Sequence, residues 1–201
     1  MENENKENSY SALRATMATY FPLSDETWNA FLPFCTQRYI PKNTYLYKLG
    51  EMPTSFSFIV QGLVRGFTCN ESGHEYNKNF FCEGQFPGPM TALLTASPSR
   101  LAFETIENTL LVEIEFAGFR KLLFSNHELM KFQIHYLEKN WLLHKDAREI
   151  ELVQDDASLR YLQFTKDFPL LVNRLPLYHI ASHLGITPTQ LSRIRAKLAT
   201  P

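Results

Sequence analysis

Thr187, Thr189, Gln190, Ser192, Arg193, Arg195 and Lys197 crowd hydroxyl, amide, guanidinium and ammonium groups into one short stretch near the end of the chain. Presented from one helix face, such groups hydrogen-bond the base edges and phosphate oxygens of duplex DNA. They alternate with Leu191, Ile194 and Leu198, whose spacing of three and four predicts the buried stripe of an amphipathic helix. Thr187-Pro188 starts that helix with a hydroxyl cap followed by proline at the first helical position. Just upstream, Ile180, Ala181 and Leu184 form the apolar face of a shorter helix that Gly185 breaks, with Ile186 plugging the corner. Ala181 is small enough for a second helix to cross close by, and Gly185 tolerates the left-handed conformation such a corner needs. Two helices around a three-residue turn form the helix-turn-helix pattern, in which the second helix enters the DNA major groove. Double-stranded DNA is the partner this implies.

Charge agrees with that reading. The chain of 201 residues has a formal net charge of −1, yet no acidic residue follows Asp167, while Arg174, Arg193, Arg195 and Lys197 do. The preceding residues hold the other 16 Lys and Arg against all 21 acids. A basic tail behind an acidic body fits a body that senses and a tail that meets phosphate. Cys35, Cys69 and Cys82 are scattered and odd in number, without a Cys-x-x-Cys or Cys/His cluster, so reduced thiols are expected rather than a disulfide framework, zinc site or iron-sulfur cluster. The first residues, MENENKENSY, lack the apolar core of a signal peptide, and no 18-residue apolar run exists. A cytoplasmic protein without membrane contact is the expectation.

The elements that must position these groups divide the chain into four parts. Residues 1–22 read as a polar arm that becomes amphipathic around Leu13 and Met17. Residues 23–125 open with a capped helix at Ser24-Asp25-Glu26, carrying Trp28, Phe31 and Leu32 and closed by Pro33. Strands then follow over 44–48, 56–61, 63–69, 75–82, 101–106 and 110–114, separated by glycine and Asn/Asp/Glu turns. Many short strands at such spacing predict an antiparallel barrel or jelly roll. A short helix over 116–124 completes this part.

Residues 126–154 predict one long helix. Leu129, Phe132, Tyr136, Asn140, Leu143, Ala147 and Ile150 form a near-heptad row, with Met130, Ile134, Leu137 and Trp141 beside it. One row would cover the barrel and the other meet a twin helix, with Asn140 setting register in a homodimer. Residues 155–201 then hold a helix from Asp155-Asp156, a connection bracketed by Pro169 and Pro176, and the helix-turn-helix.

A β-rich roll, a long helix and a carboxy-terminal helix-turn-helix over residues 23–198 resemble the cyclic-AMP receptor protein / fumarate-nitrate regulator (Crp/Fnr) superfamily. The stretch from Arg160 to Arg195, RYLQFTKDFPLLVNRLPLYHIASHLGITPTQLSRIR, looks like the branch common in Bacteroidetes. The resemblance implies an α+β chain: a cyclic-nucleotide-binding-type β-roll (a double-stranded β-helix or jelly roll), a dimerisation helix and DNA-binding heads that regulate transcription, with RNA polymerase as a further candidate partner. It also implies that Ser192-Arg193 supplies the guanine-contacting arginine. Thr189 stands where an acid often precedes that arginine by four, so the preferred DNA sequence should differ from that of well-known members. The wing hairpin usual after the second helix is not expected, because the sequence ends at Pro201.

In the sensor, Gly84-Gln85-Phe86-Pro87-Gly88 keeps the family's glycine and phenylalanine, but Pro89 replaces the glutamate that holds the ribose. Ser99 takes the place of the phosphate-binding arginine and Arg100 falls one position late, where a strand would turn it to the other face. Gly88, Ser99 and Arg100 are therefore the candidate ligand residues. The usual mode of cyclic-AMP binding is not expected, and an unidentified small-molecule effector or an empty structural roll takes its place. No catalytic or metal residue is assigned.

Two other classes of function stay open. A cupin-like metal-dependent enzyme would need a His-x-His, a glutamate and a later histidine on neighbouring strands, where the roll offers only His74 beside Glu75. The other histidines, His127, His135, His144, His179 and His183, lie in helical segments. His179 and His183 have metal-binding spacing but are expected to flank the buried face of their helix and touch solvent or phosphate. A sensor module acting through protein partners is the remaining alternative.

Overall fold

The structure is a computed structural model that describes residues 2–143 and 156–199. Helix α1 (Glu2–Ala18) is followed by α2 (Asp25–Phe31), which Ser24 caps by accepting from the Thr27 amide, and by a 3-10 turn at Leu32–Phe34. Seven strands come next: β1 (Cys35–Ile40), β2 (Tyr45–Tyr47), β3 (Ser55–Gln61), β4 (Val64–Cys69), β5 (Glu75–Phe81), β6 (Ala102–Thr105) and β7 (Thr109–Glu115). A short helix, α3 (Met90–Thr95), interrupts them. Helices α4 (Phe116–Ser125) and α5 (His127–Leu137) lead into a π turn at Glu138–Leu142. The last described elements are α6 (Ala157–Asp167), α7 (Leu177–Leu184) and α8 (Pro188–Ala199). By packing, Met1–Gly66 with Phe80–Leu142 form one unit and Phe67–Asn79 with Leu143–Pro201 form another.

The strands make a three-stranded sheet in the order β1-β7-β3 and a four-stranded sheet in the order β2-β6-β4-β5. Both neighbours of β7 run antiparallel to it, Cys35 and Phe56 each opposing Ile114. Because side chains alternate along a strand, β3 divides its residues between two environments. Phe56 and Phe58, with Val112 and Ile114 beside them, pack with Leu13, Met17, Phe31, Phe119, Leu129 and Phe132 of the helices. Ile59 instead joins Tyr47, Val64 and Phe103 in a second cluster drawn from both sheets. Within the roll Tyr47 Oη and Ser57 Oγ lie 2.7 Å apart, and burial pushes the Tyr47 phenol up to about 12. The buried Arg65 pairs with Glu104 at 2.6 Å.

Several expectations are revised. The segment read as an arm is a 17-residue helix whose Leu13 and Met17 are fully buried on the first sheet. The Leu13/Met17 pair read as amphipathic is its buried side, and the helix runs back from it through the leading polar residues to Glu2. Strand β1 was not anticipated, because in CTQRYI only Cys35 and Ile40 are buried and the pairing to β7 sets its conformation. Helix α3 was missed as well.

The near-heptad row also divides differently. Leu129 and Phe132 are buried, Tyr136 packs on the same core, and Asn140 Nδ2 donates to Tyr20 Oη at 3.0 Å. The wider π turn rotates the chain, and Leu143 is 71% exposed. Ala147 and Ile150 lie outside the described residues, as does the rest of the helix predicted up to residue 154.

Candidate nucleic-acid interface

The two carboxy-terminal helices meet as their sequence dictates. Ile180, Ala181, Leu184 and Leu191 are buried between them and their neighbours. Gly185 takes φ +69°, and the Ile186 amide reaches back to the Ala181 carbonyl at 3.0 Å. This six-to-one bond through a left-handed glycine is a Schellman ending, which satisfies carbonyls left over by the helix and turns the chain sharply. Arg160 Nη2 donates to the Leu184 carbonyl at 3.2 Å from α6.

Helix α8 then begins with a reciprocal cap. Thr187 Oγ1 accepts from the Gln190 amide at 3.2 Å, while Gln190 Oε1 accepts from the Thr187 amide at 2.8 Å and from its hydroxyl at 3.1 Å. Thr-Pro-Thr-Gln is thus a capping box. Gln190, singled out as a base-reading residue, has its side-chain oxygen committed to the helix start.

All seven candidate residues of this stretch, Thr187, Thr189, Gln190, Ser192, Arg193, Arg195 and Lys197, are exposed, while Leu191 is sealed. Leu198, expected in the buried stripe, is 45% exposed because the stripe meets its neighbours only as far as Ile194. Lys197 lies near the Asp156 carboxylate, whose pKa is lowered chiefly by the Leu159 and Ser158 amides it caps and only lastly by this cation. Arg193 and Arg195 have no acidic neighbours in sequence.

His179 and His183 do not face solvent as expected. His179 is buried, and both rings are held by residue 77: Asn77 Nδ2 donates to His179 Nδ1 at 3.2 Å, and His183 Nδ1 donates to the Asn77 carbonyl at 2.9 Å. Nothing in the sequence pairs these positions. Among the described residues, no three His, Cys, Asp or Glu side chains converge as a metal site. Burial pushes the Cys35 thiol up to about 12, so it is neither a thiolate nucleophile nor a ready metal ligand at neutral pH.

The three candidate ligand residues of the roll have different surroundings. A Cβ on Gly88 would stand 2.5 Å from Phe56 Cβ, so this glycine serves a close backbone approach. Ser99 is buried, and its hydroxyl donates to the Leu101 carbonyl at 2.6 Å. Arg100 is exposed. Pro89 caps α3 without a side-chain bond, and the Met90 amide is turned to the Gly88 carbonyl at 2.9 Å. Next to this segment, Phe86 packs its ring against Phe58 and Tyr136 at centroid distances of 5.0 and 5.4 Å, and Tyr20 adds an edge contact to Tyr136 at 5.3 Å. These rings supply neither a carboxylate for a ribose hydroxyl nor a cation for a cyclic phosphate. The residues present do not fit a cyclic nucleotide held in the usual way.

Comparison with known proteins places this geometry. Residues 37–126 match the cyclic nucleotide-binding domain family. The structure resembles that of the c-di-GMP-responsive global regulator CLP of Xanthomonas campestris, with a TM-score of 0.68 and 17% identity over 87% of this chain and 91% of that one. It resembles FixK2 from Bradyrhizobium japonicum with a TM-score of 0.67 and 20% identity, covering 83% of this chain and 85% of the other. The catabolite activator protein of Thermus thermophilus gives 0.56 and 17% identity over 92% and 86% of the two chains. No curated protein matches the sequence. No described helix is long and apolar enough to cross a membrane. Residues 37–126 therefore match the cyclic nucleotide-binding domain, set in a mixed α/β chain with the β-roll fold found in these regulators.

Proposed function

We propose that the protein is a sequence-specific, DNA-binding transcription regulator, in which α7 and α8 are a helix-turn-helix and α8 is the helix that enters the major groove. The observation that carries this reading is the exposed surface of α8, where Arg193 stands opposite the buried Leu191 and Arg195 is also exposed, on a helix started by a capping box and preceded by a Schellman turn. Arg193, Thr189 and Ser192 are placed to read bases, and Arg195 and Lys197 to hold phosphates. Thr187 and Gln190 shape the start of the helix and contribute what their remaining valences allow.

The functional form in this reading is a homodimer through residues 126–154. Ile134, Leu137 and Trp141 are exposed on α5 and the turn after it, a row of large apolar side chains that a twin helix would cover. The roll matches a domain family that takes small-molecule effectors, but its residues favour an effector other than a cyclic nucleotide bound in the family's manner. A regulator that works without catalysis, in the cytoplasm and with RNA polymerase as a later partner, completes the proposal.

Selection of bound sequences from random duplex DNA, with and without cyclic nucleotides, tests it. The expected result is enrichment of a two-fold symmetric site whose recovery is indifferent to cyclic AMP. Failure to retain any duplex at low salt would leave a module acting through protein partners.

A further inference from the structure

Segment 67–79, the inner ends of β4 and β5 with the tip between them, clasps α7 through one asparagine. The tip is shaped by Asn70, whose Oδ1 accepts from the Ser72 and His74 amides at 3.1 and 2.9 Å, with Gly73 at φ +79°. Beyond it Asn77 is fully buried. Its Nδ2 donates to both His179 Nδ1 and the His179 carbonyl at 3.2 Å, and its amide donates to Ser182 Oγ at 3.1 Å. Its carbonyl accepts from His183 Nδ1 at 2.9 Å, while Ser182 Oγ donates to the Glu75 carbonyl at 2.7 Å.

His179, Ser182 and His183 stand at i, i+3 and i+4, so one stripe of α7 is matched, donor to acceptor, by one strand. A buried asparagine side chain is costly to leave unpaired, so this contact defines a distinct closed state.

The same segment faces the start of α8. Glu75 and Tyr76 line one side of a cleft of about 500 Å³ whose other side is formed by Gly185, Thr187 and Gln190. Glu71 and Glu75 are exposed on the segment and outnumber its one lysine, Lys78, so its net charge would weakly repel phosphates approaching there.

We propose that residues 67–79 are a self-inhibitory clasp: while Asn77 is bound to α7, the first turn of α8 is screened from a duplex, and release of the clasp is required for full DNA affinity. This inference rests on the DNA-binding reading above.

Its test uses the full chain carrying Asn77→Ala and, separately, Ser182→Ala, which removes the bridging hydroxyl at a helical position where alanine is well tolerated. Two quantities are read: affinity for a random-sequence duplex at low salt, and hydrogen exchange of the amides of residues 177–184. Both variants should bind about five- to tenfold tighter, the scale of one lost hydrogen bond or slightly more, and should exchange faster across α7. Unchanged or weaker binding by Ser182→Ala overturns the clasp as an inhibitor, and unchanged exchange overturns it as a contact in solution. If no protein of the three retains any duplex while α7 still exchanges faster in the variants, the DNA reading fails and the contact itself stands.

Discussion

Arg193 shows how little a candidate residue reveals until its surroundings are drawn. It is exposed on α8, two positions from the sealed Leu191, so its guanidinium is available to a partner without any rearrangement of the helix. Arg193→Ala should lower affinity for the selected DNA site by about 1–3 kcal/mol, the worth of a bidentate base contact, with a smaller loss on random duplex. Equal losses on both, measured by titration at one salt concentration, would reduce Arg193 to a phosphate contact. Gly88, a candidate ligand residue, also has a packing role. Its Cα faces Phe56 so closely that Gly88→Ala should cost about 1–3 kcal/mol through overpacking. Thermal unfolding reads this as a lowered Tm, and an unaltered Tm would show that the segment has slack to spare.

Among elements, α5 carries the clearest division of labour. Leu129 and Phe132 are buried and Tyr136 joins the aromatic group of Phe86 and Tyr20, which fastens this face of the helix to its own body. Asn126 caps the helix by accepting from the Glu128 and Leu129 amides, and Glu128 Oε2 in turn accepts from the Ser24 amide at 2.8 Å, joining the starts of α5 and α2. The opposite face is left with Ile134, Leu137 and Trp141. Leu137→Glu should therefore dissociate the proposed dimer with little effect on the fold, because it places a charge in a surface a partner must cover and not in the core. Sedimentation would show half the mass at unchanged helix content. A dimer that persists would move the subunit contact elsewhere on the molecule.

For the whole molecule the relevant quantity is the distribution of charge. A net charge of −1 offers no general attraction for DNA, so binding must come from the local cations Arg193, Arg195 and Lys197. If a dimer places both copies of Arg195 and Lys197 on phosphates, the logarithm of affinity should fall with the logarithm of salt concentration at a slope of roughly −4, from about 0.9 for each of four neutralised phosphates. A slope near zero would mean that these cations do not meet the backbone. The acidic tip of segment 67–79 acts against the same field while the clasp is closed, so opening it should raise affinity at low salt more than at high salt.

Much of this was legible in the sequence because it depends on neighbours along the chain. The β-branched and aromatic runs announced six of the seven strands, and the Thr187 cap, the Gly185 turn and the Leu191 stripe follow from spacings of one to four residues. Strand β1 and the full length of α1 escaped because they are secured by distant partners, β7 for the first and the strands beneath Leu13 and Met17 for the second. The sequence by itself determined a roll followed by a basic, well-capped helix pair. Only the tertiary structure decided which polar groups are already spoken for: Gln190 by its own helix, Ser99 by Leu101, and His179 and His183 by an asparagine 102 and 106 positions away. Hydrogen bonds are short-ranged in space but indifferent to separation along the chain, so no spacing rule could have revealed the last of these.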